Sequence, residues 1–99
     1  MNIDLIKKAI DEKRLLRFNY DNAQRIVEPH AVGYDNKNQL KMRAYQVGGF
    51  SSSGTIPVWR LYKVDEMSMA EVLDQFFESA RPGYNYLGDK AIPQMISKI

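Results

Sequence analysis

Hydrophobic and polar positions along the chain change period several times, and each change marks an element. Ile3, Leu5, Ile6, Ala9 and Ile10 recur at helical spacing, with Lys7, Lys8, Asp11, Glu12 and Lys13 on the opposite side. An amphipathic helix is predicted over 3–13, with Asn2 or Asp4 as its cap. From Arg14 the period drops to two. Leu16, Phe18 and Tyr20 alternate with Leu15, Arg17 and Asn19, as in a strand over 14–20. Asp21-Asn22-Ala23 reads as a turn, because Asp and Asn tolerate left-handed backbone angles. A second strand returns over 24–34. Pro29 cannot donate to a ladder, so that strand is an edge there or is bent by a bulge. Asp35-Asn36-Lys37-Asn38 is another polar turn.

The stretch 40–64 has the clearest pattern. Leu40, Met42, Ala44 and Gln46 fall on one face of a strand over 40–47, and Lys41, Arg43, Tyr45 and Val47 on the other. Val58 to Val64 has the β-branched and aromatic content of a partner strand and carries Arg60 and Lys63. The Gly/Ser-rich run 48–54 between them has no periodicity and is read as a hairpin loop. Residues 65–78 are ambiguous. Met69, Val72, Leu73 and Phe76 fit a helix, whereas Met67, Met69 and Val72 fit a bulged strand; periodicity leans to the helix. Arg81-Pro82-Gly83-Tyr84 suits a type II turn. Ile92, Met95, Ile96 and Ile99 predict a short terminal helix within 89–99, with Pro93 in its first turn. Strands joined by short turns argue an antiparallel meander that closes into a small barrel or packs under the helix.

Composition narrows the function classes. A chain of 99 residues fits one domain, spanning 1–99, and 44% hydrophobic with 26% charged residues is ordinary for a globular protein. There is no cysteine, which removes disulfides, cysteine zinc sites and a thiol nucleophile. The charged N-terminus lacks a signal peptide's apolar run, and no apolar segment approaches the ~20 residues that span a bilayer, so a cytoplasmic location without membrane partners is expected. The net charge of +2 hides an asymmetry. Residues 1–63 hold 11 Lys/Arg against 6 Asp/Glu, and residues 64–99 hold 3 against 6. A basic segment suits an anionic partner, and equally a solvated surface.

In their order, AIDEKRLLRFNY, RIVEPHAVGY, LKMRAY and WRLYKVDEM resemble the WYL domain, a bacterial and phage module, from about Ile3 to Phe77. The Arg-x-Val-Glu-Pro element stands as Arg25, Val27, Glu28 and Pro29, and a second element as Arg60, Tyr62, Asp65, Glu66 and Met67. The family's Trp-Tyr-Leu is replaced by Leu40-Lys41-Met42, with Ala44-Tyr45 kept after it, and Glu66 stands where a basic residue is usual. The resemblance implies a small Sm-like, SH3-type antiparallel barrel; with the elements read above, the expectation is a mainly β fold with a leading helix, five barrel strands, and a short C-terminal helix or a tail over 79–99. It also implies that 66–75 is the closing strand, and that reading is adopted over the helical one. Family members accompany winged-helix DNA-binding domains in transcription regulators, or phage-defence systems, and are thought to sense single-stranded nucleic acid or a nucleotide. A chain this short has no room for a winged helix, so it is read as a free-standing module or a piece of a longer regulator.

The candidate site follows from charge and ring placement. Lys41, Arg43 and Tyr45 share one strand face, and cations flanking an aromatic suit phosphates and stacked bases. The plainer alternative is an exposed strand face. Arg60 falls on the same face as Val58, Tyr62 and Val64; if that face is interior, it must reach a pocket mouth or pair with a carboxylate such as Glu28 or Asp65. A guanidinium fork also matches phosphate. The resemblance covers Arg25, carried as an anion contact, and Lys63 is carried for phosphate steering. His30 is expected to be a satisfied strand residue and Trp59 a packing residue. The loop 48–54 lacks the ending of a P-loop, and the acidic residues Asp65, Glu66, Glu71, Asp74 and Glu78 match no calcium loop. No metal, cofactor or catalytic constellation is indicated. The expectation is a non-catalytic module binding single-stranded DNA or RNA, or a nucleotide, through Arg25, Lys41, Arg43, Tyr45, Arg60 and Lys63. The alternative is a protein-interaction module that forms a homodimer or docks on a regulator protein.

Overall fold

The computed structural model describes residues 3–51 and 54–99. Asn2, one of the two expected helix caps, and Ser52 and Ser53 of the expected loop lie outside the described residues. The chain runs α1 (Ile3–Asp11), β1 (Arg14–Tyr20), β2 (Ala23–Tyr34), β3 (Leu40–Gly49), β4 (Val58–Lys63), a 3-10 turn (Val64–Glu66), β5 (Ser68–Phe76) and β6 (Gln94–Lys98). All pairings are antiparallel, in the order β4-β3-β2-β1-β5, with β6 also on β2.

Local chemistry sets the ends of these elements. Helix α1 stops at Asp11, and Lys13 turns left-handed with φ 52° as the chain enters β1. The hairpin from β1 to β2 pairs Tyr20 with Ala23, leaving Asp21 and Asn22 as a two-residue turn. Both have positive φ, as the turn matching strand twist requires. At the next turn one Asp35 carboxylate oxygen accepts the N–H groups of Lys37 and Gln39, both at 2.8 Å.

Pro29 lies inside a central strand, which its missing N–H ordinarily forbids. The topology resolves this. One edge of β2 pairs with β1 over Ala23–Val27 and with β6 over Ala31–Tyr34, so Pro29 falls in the gap between them. The register against β3 also shifts between Pro29 and Ala31.

The strand adopted for 66–75 is present: after the 3-10 turn the chain forms β5, irregular against β1 and with Met69 at φ 53°, although it pairs with β1 alone and closes no barrel. One expectation is corrected. The terminal helix is absent, since Gln94–Lys98 forms the sixth strand. The spacing of Ile92, Met95, Ile96 and Ile99 suits either element, and pairing with β2 decides it. Gly33 makes the pairing possible: a Cβ there would lie 2.3 Å from the Gln94 carbonyl oxygen.

The core lies between the inner face of the sheet and α1. Ile6, Ala9 and Ile10 of α1 meet Leu16, Phe18, Val27, Val32, Met42, Ala44 and Tyr62. Each fully buried large side chain contributes about 1.5–3 kcal/mol. Tyr62 from edge strand β4 and Val72 from edge strand β5 reach the same cluster, so the sheet wraps around it. The sheet nevertheless does not close, because β4 and β5 do not pair. Among the described residues no helix is long and apolar enough to cross a membrane.

Candidate nucleic-acid interface

Strand alternation divides the six expected site residues between two faces. On β3, Met42, Ala44 and Gln46 are fully buried, and Lys41, Arg43 and Tyr45 point the other way. The register sets Arg60 opposite Ala44, and Lys63 opposite Lys41. Arg60 therefore stands on the inner face with Tyr62, and Lys41, Arg43, Tyr45 and Lys63 on the outer face. Arg25 joins the inner group. The six residues are not one surface.

At the inner end, Arg25 is 1% exposed. Its Nη2 donates to the Tyr20 carbonyl at 3.1 Å, while Nε and Nη1 are buried with no hydrogen-bond partner among the described residues. Aromatic rings flank the guanidinium, Tyr20 at 5.7 Å and Phe50 at 5.3 Å. Gln46 holds the start of the loop in place, donating to the carbonyls of Gly48 (3.0 Å) and Phe50 (2.6 Å) and accepting the Tyr62 hydroxyl at 3.2 Å. Burial pushes the Tyr62 hydroxyl pKa up, and the nearby guanidinium groups of Arg25 and Arg60 pull it the other way. Two cations thus converge on one buried hydroxyl. Among the described residues no carboxylate pairs with Arg25. The Glu28 carboxylate, one of the two acids named as alternatives for Arg60, is taken by Arg81, whose Nε and Nη2 donate to its two oxygens at 2.6 and 2.7 Å.

The outer face is covered by the chain's own C-terminal part. Arg43 donates through Nε and Nη2 to both Asp89 oxygens, at 2.8 and 3.3 Å. That contact and the Ala91 N–H hold the Asp89 carboxyl below its usual range. Tyr45 carries the Arg81 guanidinium at 5.4 Å and meets Trp59 edge-on. Trp59 packs, as expected: its indole N–H donates to the Pro82 carbonyl at 3.0 Å, and the ring stacks on Tyr84. Lys41 pairs with Asp35 at 3.2 Å, and Lys63 with Glu66 at 3.6 Å.

His30 is fully buried among Trp59, Phe77 and Tyr84. The Arg81 backbone N–H donates to its Nε2 at 3.1 Å, so Nδ1 carries the proton and donates to the Glu28 carbonyl at 2.8 Å. Desolvation lowers its pKa despite these partners. It is a satisfied strand residue, as expected. Among the described residues no group of three or more His, Asp or Glu side chains is placed to hold a metal ion.

Sequence reasoning missed Arg81, Tyr84 and Asp89, and placed Glu28 only as a possible partner of Arg60. Glu28 did carry a signal, since an acid in the apolar run Val27 to Val32 needs a cation. Asp89 carried none, because its partner Arg43 is 46 positions away.

No protein-family model, curated protein or solved structure matches this chain.

Proposed function

We propose that this protein is a non-catalytic, cytoplasmic module of WYL type, with an Sm-like barrel, that binds single-stranded nucleic acid or a nucleotide in a regulatory or phage-defence setting. One observation supports the reading: Arg25 is buried with two donors that meet no partner among the described residues. Burying an uncompensated guanidinium is costly, and a phosphate would satisfy both donors at once. Arg60, beside the same hydroxyl, adds positive charge. The Phe50 ring, 57% exposed, stands over Arg25 and would move aside to admit the phosphate or stack on a base. Lys41 and Lys63 steer from the other face. Arg43 and Tyr45 engage Asp89 and Arg81, which leaves them a supporting part.

The test is fluorescence anisotropy of labelled single-stranded DNA and RNA oligonucleotides, at low and physiological salt. Binding should weaken with salt, since phosphate contacts release counterions. Arg25→Met and Arg60→Glu should each weaken it at least about tenfold, the loss of one charge-assisted contact, with Lys98→Glu near wild type. Arg25→Met should keep its free energy of unfolding in urea, or raise it by up to about 1 kcal/mol, because two unsatisfied buried donors go with it. A folded Arg25→Met protein that binds as wild type overturns the reading.

A second reading, a protein-interaction module, is favoured by the unpaired edges of β4 and β5 and by the exposed Met69 and Phe76 on β5. Concentration-dependent mass with no response to nucleic acid would select it.

A further inference from the structure

On the outer face, away from Arg25, lies a cleft of about 300 Å³ between the β3–β4 pair and the segment 83–90. That segment lies beyond the stretch resembling the WYL domain. The cleft's walls are aromatic, from Trp59 and Tyr84, and its polar groups come from Arg43, Asn85, Asp89 and Lys90. A concave site with apolar walls and a few convergent polar groups is the usual form of a small-molecule pocket.

Every wall is anchored. Trp59 is held by the Pro82 carbonyl, the Tyr84 hydroxyl donates to the Ile99 carbonyl at 3.2 Å, and Asp89 is fixed by Arg43 and the Ala91 N–H. Gly83, at φ +91°, brings the backbone so near that a Cβ would sit 3.2 Å from the Trp59 indole nitrogen. Such anchoring lowers the ordering cost of binding.

The surroundings specify the charge of the occupant. The Arg43–Asp89 pair is neutral as a unit, and Lys90 is exposed at the rim. Lys90 also borders a second depression of about 420 Å³, where Lys37, Lys41 and Lys63 converge. The one carboxylate lining it, Asp35, is bound to Lys41, and Lys63 reaches Glu66 at 3.6 Å just outside it, so the basin keeps a positive excess through Lys37 and Lys90. An aromatic cleft thus opens beside a four-lysine basin, with Lys90 common to both.

We infer that this cleft and basin together bind a nucleoside di- or triphosphate, the base on Trp59 and Tyr84 and the phosphates among Lys90, Lys37, Lys41 and Lys63. This deepens the phosphate-ligand reading above by naming a ligand, and it rests on that reading only for the general class. The site itself is separate from Arg25.

Trp59 is the only tryptophan, so its fluorescence reports on the cleft directly. The experiment titrates the whole protein with ATP, GTP and inorganic tripolyphosphate, exciting beyond the absorption of the bases. ATP or GTP should quench Trp59 saturably. Tripolyphosphate should compete with the nucleotide while leaving Trp59 largely unquenched, because it fills only the basin. Lys90→Glu combined with Lys37→Glu, both at exposed positions, should raise the apparent Kd for the nucleotides by roughly tenfold or more, the loss of charge-assisted contacts. Circular dichroism checks that the double variant is folded. No saturable quenching at millimolar nucleotide overturns the inference, as does quenching that the folded double variant leaves unchanged. Failure of the Arg25 reading is seen elsewhere, in oligonucleotide binding indifferent to Arg25→Met, so the two failures are told apart by probe and by variant.

Discussion

Arg25 and His30 sit on the same strand and are both buried, yet their accounts differ. His30 spends both ring nitrogens, one on the Glu28 carbonyl and one on the Arg81 N–H. Arg25 spends one of its nitrogens and strands two. That contrast separates a residue explained by the fold from one that is not, and it was invisible in the sequence. Both are polar residues in an apolar run, and only the neighbours distinguish them. The His30 arrangement predicts a pH dependence. Around it stand Glu28 and Arg81, which are paired to each other, and the rings of Trp59, Phe77 and Tyr84. A proton on Nε2 would face the Arg81 N–H, donor against donor, and would be poorly solvated. The folded pKa is accordingly below the ordinary 6.5. The unfolded chain therefore takes up the proton first. Stability is full above about pH 6.5 and falls as pH drops below it, by at most ~1.4 kcal/mol per pH unit for one proton. Melting temperatures between pH 7 and pH 5 should show this fall, and His30→Gln should flatten it. Asp35 and Asp89, both held below the usual carboxylate value of 3.8, leave that window untouched. An unchanged slope in His30→Gln would assign the effect to other groups.

At the scale of elements, legibility followed periodicity. Helix α1 and strands β1 to β4 were readable because each keeps one period and ends at a turn with its own chemistry, as at Asp21-Asn22 and Asp35. Strand β5 reads as helix because it is irregular: Met69 adopts a left-handed φ and the register against β1 shifts twice, which breaks the alternation. Strand β6 has only five residues, too few to separate a period of two from one of 3.6. What defines it is tertiary, the free edge of β2 beyond Pro29. Gly33 is where that dependence can be tested. A methyl group there meets the Gln94 carbonyl at 2.3 Å and the Ile92 side chain at 2.6 Å, so β6 must move. Gly33→Ala should cost roughly 1–3 kcal/mol, the range for overpacking, in place of the gain that Gly→Ala gives at a compatible strand site. Hydrogen exchange should show the loss of protection concentrated in β6 and in residues 31–34 of β2. A stabilised variant would mean that β6 is not packed on Gly33 as described.

For the whole molecule, the charge asymmetry of the sequence takes on a different meaning. The excess of cations before residue 64 and of acids after it suggested an anionic partner. Much of it is consumed internally: Arg14 meets Asp74, Arg17 meets Glu71, Lys63 meets Glu66 and Arg43 meets Asp89. The acidic C-terminal part is thus itself a partner of the basic part, and what remains for a ligand is local: Arg25 at one end, and on the other face Lys37 and Lys90, beside Lys41 and Lys63, which already meet Asp35 and Glu66. These pairs differ in worth. Those at Asp74, Glu71 and Glu66 are largely exposed and should contribute little, ~0–1 kcal/mol each. Arg43–Asp89 is two-pronged, with side chains 28% and 16% exposed, and it ties the segment carrying Tyr84 to the sheet. A double-mutant cycle separates the classes. Arg43→Gln, Asp89→Asn and the pair should give a coupling energy of about 1–2 kcal/mol, against less than about 0.5 kcal/mol for Arg17→Gln with Glu71→Gln. The contrast should survive 0.5 M salt, which screens exposed pairs most. Equal coupling in the two cycles would make Arg43–Asp89 one more surface pair, and the C-terminal segment would then be held by Trp59, Tyr84 and β6 alone.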